Sequence, residues 1–132
     1  MASDCICILL RTVSRKVTAL YDEALAPHGI TVAQYSLLRR IRKAEQPSLT
    51  ELARLTELDR STIGRNVRLL EQVGLVTLDV GIDQREAKVR LTERARTTIE
   101  ACEGPWREAQ RTVESGIGPE GLNSLKEFVG SL

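Results

Sequence analysis

Apolar positions recur at helical spacing through the first part of the chain, at Ile6, Leu9, Leu10, Val13, Val17, Leu20, Tyr21, Ala24 and Leu25. The pattern stops at Pro27-His28-Gly29, where proline cannot continue a helix and glycine suits its exit. Thr31 and Gln34 have the spacing of a capping box, and Tyr35, Leu37, Leu38 and Ile41 form the apolar stripe of a second predicted helix. Pro47 marks the next break. Ser48 to Glu51 reads as another capping box, opening a short helix that carries Leu49, Leu52, Ala53 and Leu55. Asp59 then suits the N-cap of a helix running to about Val73 and closed by Gly74. Two short helices in tight succession, the second longer than the first, predict a helix-turn-helix.

Beyond Gly74 the period changes from helical to two. Leu75 to Asp79 predicts one strand, with Val76 and Leu78 on one face, and Ala87 to Leu91 a second, with Ala87, Val89 and Leu91 on one face. The polar loop between them holds Gly81, Asp83, Gln84, Arg85 and Glu86. A hairpin directly after a helix-turn-helix is a wing. Thr92 can cap a long final helix through Ile99, Cys102 and Val113, with a bend or an interruption expected at Gly104-Pro105. A short amphipathic helix with Leu122, Leu125, Phe128 and Val129 ends the pattern. The expected fold class is mainly α with a small β-hairpin wing (α+β), in one domain spanning 1–132. Residues 31–92 would form the winged helix-turn-helix, and 1–28 and 93–132 the dimerisation helices. One small domain could hardly bury both apolar termini, so a homodimer is expected, with Trp106 in its core.

Composition adds boundaries. The 132 residues suit one domain, and 42% hydrophobic with 28% charged residues describe a folded, soluble protein. Aromatics make up only 3%, which argues against the stacking platforms of single-strand binders. Net charge is +1, so bulk charge gives no nucleic-acid signal and any such signal must lie in where the arginines sit. The apolar run from Cys5 to Leu10 is cut by Arg11, too short for a membrane span or a signal core. A reducing, cytoplasmic setting is expected, with Cys5, Cys7 and Cys102 as thiols. No membrane partner, metal or cofactor is expected.

The arginines are concentrated in one element. With Ile63 at zero and about 100° per residue, Val67 and Leu70 fall within about 40° of it. Ser61, Arg65, Arg68 and Gln72 fall within about 40° of the opposite side, and no acid lies between Ser61 and Leu70. Arginine can donate two parallel hydrogen bonds to guanine, while serine, asparagine and glutamine can address bases or phosphates. The helix N-terminus adds free N–H groups for a phosphate. Arg60, Ser61, Thr62, Arg65, Asn66 and Arg68 are therefore candidate contacts to double-stranded DNA, joined by Lys88 on the second strand. Arg85 at the hairpin tip can enter a minor groove, with Asp83 placed to hold its direction. Three other readings stand beside this one. The ridge could be an ordinary solvated face, the module could bind protein, or Cys7 could serve an enzyme, although a single histidine leaves a thiol nucleophile little support.

These residues resemble the MarR family of bacterial regulators. The resemblance runs through Leu58 to Thr62, Arg65, Leu69, Gly74-Leu75-Val76, Asp83-x-Arg85 and Val89-x-Leu91-Thr92. It implies a dimer with interleaved terminal helices, acting as a regulator, with repression as the expected output, on an inverted-repeat operator. By similarity, Ser61, Thr62 and Arg65 would address the major groove and Arg85 the minor groove. The chain departs from the family at Thr77-Leu78, where members often carry a charged pair.

Cys7 lies in the first turns of an apolar helix with Arg11 one turn on, and both features favour thiolate. Cys7 to Leu10, Tyr21 and Ile30-Thr31 are similar in spacing to a peroxide-sensing branch of the family. That branch has tyrosines where this chain has Arg11 and Val32. Two readings of Cys7 stay open: a redox sensor, or a small apolar side chain used in packing. Resemblance to the family also implies a small aromatic or phenolic effector, for which Arg11, Tyr21, His28 and Tyr35 are candidates. Cys5-x-Cys7 as a metal site would need further ligands, and His28 is the chain's one histidine.

Overall fold

A computed structural model describes residues 4–80 and 87–132. Helix α1 (Ile6–Leu25) runs into a 3-10 turn (Ala26–His28), and Gly29 leaves it at φ 76, the left-handed exit expected after Pro27. Helix α2 (Val32–Ala44) opens on a complete capping box: the Thr31 side chain accepts from the Gln34 N–H, and the Gln34 side chain accepts from the Thr31 N–H. Helix α3 (Leu49–Thr56) has only half of the box expected there, with Ser48 Oγ accepting from the Glu51 N–H at 3.1 Å. Helix α4 (Arg60–Gln72) is capped by Asp59 and closed through Gly74 at φ 81. Strands β1 (Val76–Asp79) and β2 (Lys88–Leu91) pair antiparallel, with Val76 opposite Leu91 and Leu78 opposite Val89, the facing expected from their alternation. Helix α5 (Glu93–Ser131) completes the chain.

The expected winged helix-turn-helix architecture is present, with one correction in α5. The helix continues through Gly104-Pro105 and breaks instead at Gly118, whose φ of 74 and ψ of 163 are non-helical. Proline restricts the residue before it as well as its own φ, and Gly118 precedes Pro119. Glycine can take the positive φ that this break uses. At Gly104 no such departure occurs, and α5 carries Pro105 in its interior.

The core is aliphatic and lies between α2, α3, α4, the hairpin and the first half of α5. Leu38, Leu52, Ile63, Val67 and Val89 are completely buried, and Leu25, Ile99 and Cys102 extend the same cluster to the terminal helices. Each large aliphatic side chain so buried contributes about 1.5–3 kcal/mol. One residue ties three elements together. Thr92 Oγ1 accepts from the Ala95 N–H, capping α5, and donates to the Gly74 carbonyl at the end of α4 at 2.8 Å. The hairpin and the start of α5 are thus fixed to the exit of α4. Isolated pairing of Ser48 with Lys88 joins the start of α3 to the wing.

Candidate nucleic-acid interface

Helix α4 is the element on which the candidate contacts converge. It buries Ile63, Val67 and Leu70 and turns Ser61, Arg65, Arg68 and Gln72 outward, all four exposed. Its first turn is set by Asp59, whose Oδ1 accepts from the Thr62 N–H at 2.6 Å. Hydrogen bonds from Thr62, side chain and backbone, hold the Asp59 carboxyl below the usual carboxylate range, and the Arg65 guanidinium adds to the effect. The N-terminus expected to be open to a phosphate is therefore partly engaged by this carboxylate. Arg65 is itself directed, since its Nη2 donates to Thr62 Oγ1 at 3.4 Å. Thr62 thus positions Arg65 as well as taking part in the cap. A left-handed Glu57, at φ 57, closes α3 just before the turn into α4.

Not every candidate lies on this ridge. Arg60 is exposed at the first turn, beside it. Asn66 is exposed on another side of α4, where with Ala33, Leu37, Leu58 and Leu69 it lines a groove of about 460 Å³ between α2 and α4. Lys88 is exposed at the start of β2, opposite Asp79. Asp83 and Arg85 lie outside the described residues. Two arginines that sequence reasoning passed over hold the frame. Arg94 Nη1 donates to the Val73 carbonyl at 2.8 Å, tying α5 to the end of α4. Arg90 pairs with Asp79 across the hairpin at 3.0 Å.

The sensing candidates fall into two groups. Cys7 and Arg11 are exposed near the start of α1. Tyr21 lies on the same helix fourteen residues on, about 21 Å along the axis at roughly 1.5 Å per residue, so the two cannot meet within one chain. Tyr21 instead donates from its hydroxyl to Gln110 Oε1. Burial raises its pKa, with Glu114 adding to the effect. Tyr35 is buried, and desolvation raises its pKa too, opposed by Arg39. Both tyrosines pack on Trp106, with ring centroids 6.5 and 6.0 Å away. Trp106, expected in a dimer core, therefore packs within its own chain, because α1, α2 and α5 meet there. His28 is partly exposed in the 3-10 turn. Cys102 is buried, and burial pushes its thiol up. Among the described residues, no group of three or more His, Cys, Asp or Glu gathers to hold a metal ion. None of their helices is long and apolar enough to cross a membrane.

Comparison with known proteins places this geometry. The structure is similar to that of the transcriptional regulator MosR of M. tuberculosis in complex with DNA. The TM-score is 0.85 at 28% identity, covering 97% of this chain and 96% of that one. It is similar to a probable transcriptional regulator from Pseudomonas aeruginosa, with TM-score 0.84, 26% identity and coverage of 97% and 96%. It also resembles CouR from Rhodococcus jostii bound to p-coumaroyl-CoA, with TM-score 0.76, 28% identity and coverage of 97% and 91%. Residues 28–86, from the end of the 3-10 turn to just before β2, match the model of the MarR family, and MosR is a transcriptional regulator rather than an enzyme. The module is thus similar in sequence to the MarR family, and the whole chain is similar in fold to transcriptional regulators of known structure.

Proposed function

We propose that the chain works as a homodimer that binds duplex DNA sequence-specifically in the bacterial cytoplasm and represses transcription from an inverted-repeat operator. The observation that carries this reading is the acid-free, outward ridge of Ser61, Arg65 and Arg68 on a helix capped by Asp59 and braced by Arg94. Thr62 directs Arg65, so part of the arginine's ordering cost is met before DNA arrives. Arg60, Thr62, Asn66 and Lys88 surround the ridge, and Asp83 with Arg85 would complete it from the wing. MosR, at 28% identity, is a relative whose structure holds DNA.

The dimer reading rests on the terminal helices, where α1 leaves Ile6, Leu9, Leu10 and Val13 exposed and α5 leaves Phe128 and Val129 exposed. A second copy would cover these faces, which leaves residues 31–92 as the reading module and 1–28 and 93–132 as the dimerisation helices. Two reading helices related by a two-fold axis would address half-sites about one helical turn apart, roughly 34–36 Å. Selection of bound sequences from random duplexes tests this: an inverted repeat is expected, and recovery of no motif by a folded dimer would overturn it.

For the effector, an aromatic ligand at the junction of α1, α2 and α5 is the reading that the geometry favours. Tyr21, Tyr35 and Trp106 already form an aromatic cluster there, with Gln110 as a polar handle. CouR, at 28% identity, is described with an aromatic acyl thioester bound. The alternative is oxidation of Cys7, which is exposed near the start of α1. Release of DNA on peroxide treatment by wild type but not by Cys7→Ser would favour the thiol; equal behaviour of both would exclude it.

A further inference from the structure

A second cationic surface lies on α2. Tyr35, Leu37, Leu38 and Ile41 of this helix are buried, whereas Ser36, Arg39, Arg40, Arg42 and Lys43 line an open cavity of about 570 Å³. These five are its whole lining among the described residues, and no acid is among them. Two of the arginines are already held. The Arg39 guanidinium carbon stands 4.9 Å from the Trp106 ring centroid and 5.6 Å from that of Tyr35. Arg40 Nη1 donates to the Leu55 carbonyl at 2.9 Å. The ion pairs among the described residues are Arg90–Asp79, Arg96–Glu93 and Arg107–Glu103, so none neutralises α2. Glu103, the acid that approaches Arg39 and Arg42 from α5, is engaged by Arg107 at 2.7 Å.

Four like charges within two helical turns repel one another, and an anion placed among them relieves the repulsion. The cavity is too open and too polar for an apolar ligand. Guanidinium forks match phosphate oxygens bidentately, and lysine supplies a point charge beside them. We propose that this surface binds a small polyphosphate, a phosphoanhydride chain carried either by a nucleotide or by inorganic polyphosphate. Duplex DNA held on α4 is the less suitable occupant. Ser36 and Arg40 also line the groove shared with Asn66 and Leu69 of α4, whereas Arg39, Arg42 and Lys43 do not. The inference stands apart from the DNA-binding proposal, because it uses none of the α4 residues.

Trp106 is the chain's only tryptophan, and Arg39 lies over it, so its fluorescence reports on this surface. The test is titration of the full-length protein with inorganic tripolyphosphate, and separately with ATP, in low-salt, phosphate-free buffer. A saturable change in Trp106 emission is expected. The double variant Arg42→Gln/Lys43→Gln, which keeps the Arg39–Trp106 stack, should bind at least about tenfold more weakly. Lys126→Gln, on α5 outside the cavity lining, should bind as wild type does. Tighter binding of ATP than of tripolyphosphate assigns the site to nucleotides, and equal binding assigns it to the phosphate chain alone. Absence of a saturable change with either probe, or equal affinity in the double variant, would overturn the proposal. It would also be overturned if random duplex displaced tripolyphosphate and the double variant lost DNA affinity as Arg65→Glu does, which would make α2 a DNA-backbone contact.

Discussion

The proposed reading module, residues 31–92, keeps its large aliphatic side chains inside, with Leu38, Leu52, Ile63, Val67 and Val89 at 0% exposure, whereas α1 leaves Ile6 at 66% and Val13 at 56%, and α5 leaves Val129 at 67%. Both regions are helical and equally rich in apolar positions. They differ in where the partner for those positions comes from. In the module, α2, α3, α4 and the hairpin supply one another, and the caps at Thr31, Ser48 and Asp59 fix where its helices begin. In the terminal helices the stretches from Tyr21 to Leu25 and from Ala95 to Gln110 find partners within the chain, whereas Ile6, Val13 and Val129 stay exposed. An amphipathic face left open over several turns is a surface that needs a second chain. On the proposed dimer the division separates two tasks, reading by each chain and spacing of two readers by the pair.

The difference can be broken first from the module's side. Ile63→Ala removes a completely buried side chain beneath the reading ridge. It should cost about 2–5 kcal/mol of folding stability, measured by urea unfolding. A cost no larger than that of an exposed-site change would mean that the module is not the rigid part.

From the other side, the paired change Leu10→Glu/Val13→Glu on the exposed face of α1 should leave the module's fold intact by circular dichroism. It should weaken self-association by about 2–4 kcal/mol, the size of an interface hot spot, as read by sedimentation at several concentrations. Unchanged self-association would place the dimer interface elsewhere.

Arg65→Glu should be neutral to stability and cost about 1–3 kcal/mol of binding to the selected duplex, the worth of one good base contact. Loss of folding instead would make Arg65 a structural residue.

The smallest effect is one of pH. Thr62 depresses the Asp59 pKa in the folded state, so the cap contributes stability that is fully present above the ordinary aspartate range. That contribution is lost as pH falls through the lowered folded value. Asp59→Asn should flatten this acid limb of the stability profile while leaving the profile near neutrality almost unmoved, and an unchanged limb would assign the acid sensitivity to another carboxylate.

Much of this division was legible in the chain because it is written in local chemistry. Capping residues at Thr31, Ser48, Asp59 and Thr92 and stops at Gly29 and Gly74 act within a few positions of themselves, and each marks an element boundary. The alternation of Val76, Leu78, Val89 and Leu91 similarly specified the hairpin register. The misplaced break in α5 shows the limit of such signals. Two Gly-Pro pairs, 104–105 and 118–119, look alike in sequence, and only the second takes a non-helical backbone. Trp106 shows another limit. Its stacking on Tyr21, Tyr35 and Arg39 joins three helices distant in sequence, and no local pattern announces it. For the reading site, helical period sufficed to separate the Ser61–Arg65–Arg68 ridge from the buried stripe. Period could not show that Thr62 directs Arg65.

The most direct test is the stoichiometry of the complex with the duplex recovered by selection, taken from its sedimentation together with the backbone positions it protects. Two chains per duplex are expected, with two protected half-sites roughly 34–36 Å apart and affinity falling steeply as salt rises. One chain per duplex, or binding indifferent to salt and to sequence, would contradict a paired reader built on the α4 ridge.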